Sequence, residues 1–300
     1  MASLKDIRGR ISSVKNIRKI TRAMEMVAAA RLRRAEQRIE HLRPYADALR
    51  RMTSRAAQAA ENIPSMPILE QKESVQTVGI LLVTGDRGLA GPFNSQIIRA
   101  GNRREAELRS DGKRVLWYVS GRRGLSSLEF RNMEIGGSWT GFTDRPAFAD
   151  ARAIADGLTS SYVDDKVDRV EIVYNGYISA INQEVRRETL LPLQQADVLG
   201  DEGDEGSGST ERESRALWIY EPDPEEILAR LVPDYVEISI YRALLESTAS
   251  EHGARMSAMR SASDNAGEMI DDLTLEANRQ RQAEITQEIM EVVAGAEGLR

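Results

Sequence analysis

Two stretches at opposite ends of the chain carry apolar residues at helical spacing for far longer than an ordinary helix of about 11–12 residues, and this pair constrains the fold most. In the first, Leu4, Ile7, Ile11, Val14, Ile17, Ile20, Met24 and Val27 recur at steps of three or four. Ser3 with Asp6 reads as a capped start. Gly9 is the only weak point before Pro44, after which Leu49, Met52, Ala56 and Ala59 resume the pattern until Pro64 and Pro67 stop it. The second opens at Asp223-Pro224, a cap followed by proline at the first helical position. Leu231, Tyr235, Ile238, Leu245, Thr248, His252, Met256, Met259, Ala266, Ile270, Leu273 and Ala277 follow, then Ile285, Ile289 and Val292, with Pro233 as a kink near the start. At 1.5 Å per residue this helix could reach roughly 100 Å. A helix so long must bury its stripe, and two such stripes predict an antiparallel coiled coil closed by the middle of the sequence.

The middle has another texture. Residues 75–84 form a short apolar run fit for a buried strand, followed by a glycine-rich turn and a helix over about 93–110. Residues 115–119 read as a second strand. A helix from Pro146 to about Tyr162 precedes a third strand at 170–174, and 185–191 adds an edge strand. Strand–helix alternation implies parallel pairing in a Rossmann-like α/β domain. The expected division is a coiled-coil helix over 1–62, a central α/β domain over 63–222 and a second coiled-coil helix over 223–300. Residues 200–214, acidic and rich in Gly and Ser, read as a mobile loop.

Composition narrows the function. Of 300 residues 41% are hydrophobic and 29% charged, enough to bury a core. No run approaches the ~18 apolar residues of a membrane span, and the N-terminus reads as a mature start without a signal core. With no cysteine there are no disulfides, thiolate metal sites or thiol nucleophiles. Residues 1–55 hold 15 Lys+Arg against 5 Asp+Glu, whereas the chain as a whole is at −6. A basic end suggests an acidic partner. His41 and His252 lie far apart, His252 on the apolar stripe as a packed core residue, and no carboxylate pair stands in an active-site frame.

Four motifs remain. Lys19 to Arg31 is a helical segment with small residues at Ala23, Ala28, Ala29 and Ala30. Ala277 to Ala296 sets Ile285, Ile289, Val292 and Val293 beside Arg281, Gln282, Thr286 and Glu291. Thr84 to Asn94 is a glycine turn between strand and helix; it lacks the Gly-Lys-Ser/Thr ending of a phosphate loop and reads as a tight turn with Asp86 and Arg87 as a local pair. Trp218 to Asp223 is an aromatic–acidic stretch before the last helix.

The first two, with Arg8 to Ile17 upstream, strongly resemble the N- and C-terminal signatures of the gamma subunit of F-type rotary ATP synthases. The turn resembles that family's equivalent, where cysteine is common at the position of Ala90. The resemblance implies a central rotor stalk without catalytic residues or cofactor, which couples proton flow through a membrane ring to ATP synthesis or hydrolysis. Its implied partners are three alpha and three beta subunits, an epsilon subunit and a ring of c subunits, at the cytoplasmic face of a bacterial inner membrane; it implies no nucleic acid. Met24, Arg281, Gln282, Thr286 and Glu291 are the residues implied to grip the catalytic ring, with Thr286 and Glu291 near Met24. Arg43, Tyr45, Trp218, Tyr220 and Glu221 are those implied to meet the c-ring and epsilon. The alternative from the residues alone is a free-standing coiled-coil scaffold or a nucleic-acid-binding protein.

Overall fold

A computed structural model describes residues 3–59, 66, 68–69, 72, 74–180, 182–193 and 223–297. The acidic stretch 200–214, the prolines at 64 and 67, and Trp218, Tyr220 and Glu221 lie outside these. Both terminal helices form as expected: α1 spans Leu4–Ala59 with Pro44 inside it. Its start is a reciprocal cap, in which Ser3 Oγ donates to Asp6 Oδ2 at 2.8 Å and Asp6 N–H to Ser3 Oγ at 3.3 Å. The last helix begins at Pro224 and runs to Glu297, and Ile227 N–H donates to the Asp223 carbonyl.

Between them lie β1 (Thr77–Val83), α2 (Phe93–Ser110), β2 (Arg114–Ser120), α3 (Arg122–Phe130), β3 (Ile135–Trp139), α4 (Phe148–Val163), β4 (Arg169–Tyr177) and β5 (Gln183–Leu191); the last helix is α5. The strands form one sheet in the order β3-β2-β1-β4-β5. β1 pairs parallel with β2 and β4, and β2 with β3, while β5 closes the edge antiparallel to β4.

Period-two alternation splits the sheet between two cores. Leu81, Val83, Leu116, Tyr118, Val170, Ile172 and Tyr174 face one way, toward Ile154 and Leu158 of α4 and Leu228, Val232, Val236 and Ile240 of α5. Val78, Ile80, Leu82, Val115, Trp117 and Val119 face the other, toward Phe93, Ile97 and Leu108 of α2 and Leu128 of α3. With both faces covered, the inner strands are continuous apolar runs. Within the second layer Glu171, on central strand β4, is buried and receives Arg104 of α2 through two bonds, at 2.8 and 2.7 Å. Such a fork stands or falls as a pair.

By contacts the chain divides into two compact units, Met1–Ala30 with Arg255–Arg300 and Arg31–Ala254.

Arg104 also meets Glu107 at 3.0 Å, so the arm whose loss strands a buried charge is Arg104 itself. Arg104→Ala is expected to lower unfolding free energy by about 3 kcal/mol. Arg104→Met with Glu171→Leu is expected to restore most of it. Urea unfolding of the purified chain measures both.

Candidate functional site

In the first unit, α1 and α5 run antiparallel. Arg260 Nε donates to Glu25 Oε1 at 3.0 Å. Seven residues earlier on α1, the Arg18 guanidinium lies against Gly267, seven later on α5. The buried seam is Thr21, Glu25 and Ala28 on α1, against Met259, Ser263, Ala266, Ile270 and Leu273 on α5, all at alternating steps of four and three. That is the 3.5-residue period of a left-handed coiled coil.

The expected stripe holds at its start, where Ile7 is buried and Ile11 and Val14 are half-buried, and drifts off further along. Ile17 and Ile20 are 52% and 59% exposed, Val27 is also exposed, and Met24 is half-buried. Each step of three falls about 60° short of a full turn, so Ile17 and Ile20, each a further step of three beyond Val14, wind away from the partner. The seam there takes Thr21, Glu25 and Ala28 from α1 against Met259, Ile270 and Leu273 among others from α5, while Ile17, Ile20 and Val27 face outward. Beside them Lys15, Arg18, Lys19 and Arg22 line a groove of about 740 Å³ with Ser263 and Asp264.

Carried to the start of α1, this register brings Leu4 opposite about Arg281. Residues 282–297 of α5 have no α1 residue across from them and would project roughly 24 Å as a single helix. Burial agrees: Ile285, Ile289, Met290 and Val292 are all exposed, Val292 at 73%. Arg281, Gln282, Thr286 and Glu291 are exposed too. Thr286 Oγ1 donates to the Gln282 carbonyl, and Gln287 Nε2 donates to Glu291 Oε1. Arg281 and Gln282 thus sit where α1 ends. Thr286 and Glu291 do not come near Met24, whose opposite number is about residue 261, roughly 40 Å back along α5. The antiparallel register, which the helical stripe alone does not fix, separates them.

In the second unit the turn after β1 is the junction. Asp86 was expected to pair with Arg87 and does not. Its carboxylate accepts the N–H groups of Arg122 (3.0 Å), Gly141 (2.9 Å) and Thr143 (3.1 Å) and the Thr143 hydroxyl (3.0 Å). Burial pushes the Asp86 carboxyl up, but the donors from Gly141, Thr143 and Arg122 outweigh it and hold it below its ordinary value. Arg87 pairs instead with Asp144 at 3.3 Å, and Asp144 also binds Arg31 of α1 at 2.6 Å. One loop, 141–144, thereby joins the ends of β1, β2 and β3 to α1. Gly121 makes this approach possible: its φ is 98°, and a Cβ would stand 2.1 Å from the Thr84 carbonyl oxygen.

Open parallel sheets bind ligands in the crevice beyond the carboxyl ends of their strands. Here α5 fills that place. From Ala243 to Ala254 it is buried on every side. Thr248 Oγ1 donates to the Thr143 carbonyl at 2.9 Å and Ser250 Oγ to the Asn175 carbonyl of β4 at 3.2 Å. Glu251 lies directly over Gly85. His252 is 1% exposed, a packed core residue as the stripe implied. Among the described residues no cluster of His, Asp and Glu could hold a metal ion.

The hairpin β4–β5 holds both helices. Tyr177 Oη donates to the Glu36 carboxylate of α1. Arg186 meets Glu246 of α5 at 3.2 Å, and Glu188 meets Arg242 at 2.7 Å while accepting the Tyr174 hydroxyl at 2.6 Å. Burial pushes the Glu246 carboxyl above its ordinary value despite Arg242 and Arg186. Next to this ladder Arg43 lines a groove of about 460 Å³ with Ile39, Tyr177, Tyr235 and Arg242, so the middle of α1 does lie beside the early part of α5. Tyr45 is exposed. Trp218, Tyr220 and Glu221 lie outside the described residues. The hub at Asp86 and the charge ladder were both missed from the sequence. The glycine turn marked the first; the second pairs residues some sixty positions apart and leaves no local signal.

These features define a class: two long terminal helices that pair antiparallel in one unit and, in the other, pack on an α/β sheet whose crevice one of them fills. The family model for ATP synthase matches residues 3–299. The ATP synthase gamma chain of Rubrobacter xylanophilus is 43% identical over 100% of this chain and 99% of the relative, and that of Moorella thermoacetica is 42% identical over the full length of both. Among solved structures, a chain of the Tetrahymena thermophila mitochondrial ATP synthase central stalk and c-ring superposes with a TM-score of 0.59 at 26% identity, covering 81% of this chain and 99% of that one. A chain of the Euglena gracilis mitochondrial enzyme shares the fold, with a TM-score of 0.70 at 18% identity over 99% and 94% of the two chains. The chain belongs to the ATP synthase family, and within it to the gamma chains.

The Asp86 hub yields a pH-dependent prediction. Asp86→Ala leaves three N–H donors without their acceptor and is expected to destabilise the chain by about 2 kcal/mol at neutral pH. Because the folded carboxyl titrates below the ordinary 3.8, its contribution is complete above that pH and is lost as pH falls through the folded value. Urea unfolding at pH 7 and near pH 3 should show the gap between variant and parent closing with acid.

Proposed function

We propose that the chain works as the central rotor stalk of a proton-translocating F-type ATP synthase. It is a non-catalytic subunit, and ATP is made or hydrolysed on its neighbours. The observation that carries the reading is the tip of α5, which leaves its partner helix near Arg281 and presents Ile285, Ile289 and Val292 bare. Exposed apolar side chains in a row suit a surrounding sleeve. The sleeve proposed is the ring of three alpha and three beta subunits. The basic groove at Lys15, Arg18, Lys19 and Arg22 suits acidic residues on it.

Arg281 and Gln282 are the proposed hydrogen-bonding grip, with Thr286 and Glu291 further along the tip and Met24 on the paired region. At the other end Arg43, Tyr45, Trp218, Tyr220 and Glu221 are the proposed contacts to epsilon and the c-ring. The functional division proposed is 1–62 and 223–300 as the shaft and 63–222 as the body. The chain is part of a membrane-associated complex, and among the described residues no helix is long and apolar enough to cross a membrane. The proposed place is the cytoplasmic face of a bacterial inner membrane, with membrane contact only through the complex.

Arg281→Ala with Gln282→Ala tests the grip. Two lost polar contacts of about 1 kcal/mol each are expected to lower proton-driven ATP synthesis by about tenfold or more in reconstituted vesicles, with the complex still assembled. Unchanged coupling of proton flow to synthesis would refute the assignment.

A further inference from the structure

The hairpin ladder has a geometry beyond what adhesion needs. On β5, Arg186 and Glu188 are two apart and so project from the same face at roughly 6.6 Å spacing. On α5, Arg242 and Glu246 are one turn apart, about 6 Å along the axis. The spacings mesh, and the signs are opposed: Arg186 with Glu246 at 3.2 Å, Glu188 with Arg242 at 2.7 Å. Slipping α5 by one turn would set Arg186 against Arg242 or Glu188 against Glu246. Gly176 of β4 keeps the path of Arg186 clear, since a Cβ there would stand 2.5 Å from its Nε.

Elsewhere α5 turns small and apolar residues of its own toward the domain, among them Ala243, Leu244 and Ala249, besides the hydrogen bonds of Thr248 and Ser250. Apolar burial is non-directional, and it opposes a slide or a twist only through the fit of its side chains. Opposed charges at matched spacing oppose both directly. The outer pair is open to solvent, with the side chains of Arg242 and Glu188 43% and 37% exposed, whereas the Glu246 side chain of the inner pair is 11% exposed.

We propose that the Arg186–Glu246 and Glu188–Arg242 pairs are positioning residues for torque, a two-tooth key that prevents α5 from turning or sliding against the α/β domain under load. Tyr177, bound to Glu36, keeps the same hairpin on α1. The inference rests on the rotor reading above.

The test uses the whole complex, reconstituted in vesicles with a proton gradient. Arg186→Glu sets like charges against Glu246. It is expected to lower ATP synthesis at a small gradient by about tenfold, while unloaded ATP hydrolysis changes less than about twofold. Adding Glu246→Arg re-forms the pair with reversed signs and should restore synthesis. Synthesis unaffected by Arg186→Glu, or lost and not restored by the double variant, would overturn the proposal, as would equal losses with and without load. A parent chain that supports no gradient-driven synthesis in the same complex would instead bring down the rotor reading itself.

Discussion

Everything in the first unit follows from a period of 3.5. Two helices pair over a long distance only if the same seam returns to the partner every seven residues. In this chain the positions that obey that period are Ile7, Ile11, Val14, Thr21, Glu25 and Ala28 on α1, and Met259, Ser263, Ala266 and Ile270 on α5. They mix apolar residues with small and polar ones. The Glu25–Arg260 contact is the directional element in the seam and fixes the register of one helix on the other. Ile17, Ile20 and Val27 fall off the period and face outward. A helical pair so built leaves part of its apolar surface for a partner.

The second unit applies the opposite economy. Its sheet has the topology of nucleotide-binding folds, but the crevice at the strand ends is occupied by α5, buried all round from Ala243 to Ala254. Thr248 and Ser250 take the carbonyls that a ligand would reach. The turn after β1 does not cradle phosphate; its acid, Asp86, gathers three N–H groups and a hydroxyl from the neighbouring loops. A sheet of ligand-binding topology thus serves as a clamp. The clamp bears on α1 at Arg31 and Glu36 and on α5 at Arg242, Glu246 and Thr248.

Much of this was legible in the sequence. Ser3 with Asp6 and Asp223 with Pro224 marked the helix starts because capping is local chemistry. The apolar runs marked β1, β2 and β4, and β5 was readable as an edge. α3 and β3 were not, because a nine-residue helix with Gly124 inside it and a strand reading Ile-Gly-Gly-Ser-Trp carry neither length nor periodicity. The path of the seam beyond Val14 was also missed, since counting apolar residues at steps of three or four does not tell a period of 3.5 from one that drifts. Asp86 looked like a partner for Arg87 because they are adjacent. The actual donors come from 36 and more residues away, where only folding brings them.

If α1 and α5 turn as one body, tying them together must cost nothing. The chain has no cysteine, so replacing Glu25 and Arg260 by cysteine and joining them with a short cleavable thiol cross-linker ties the pair at its point of contact. The account predicts that the cross-linked complex synthesises and hydrolyses ATP at the rate of the same complex after cleavage of the link. Activity that vanishes on cross-linking and returns on cleavage would mean that the two helices must move past one another, and the rotor described here would be wrong.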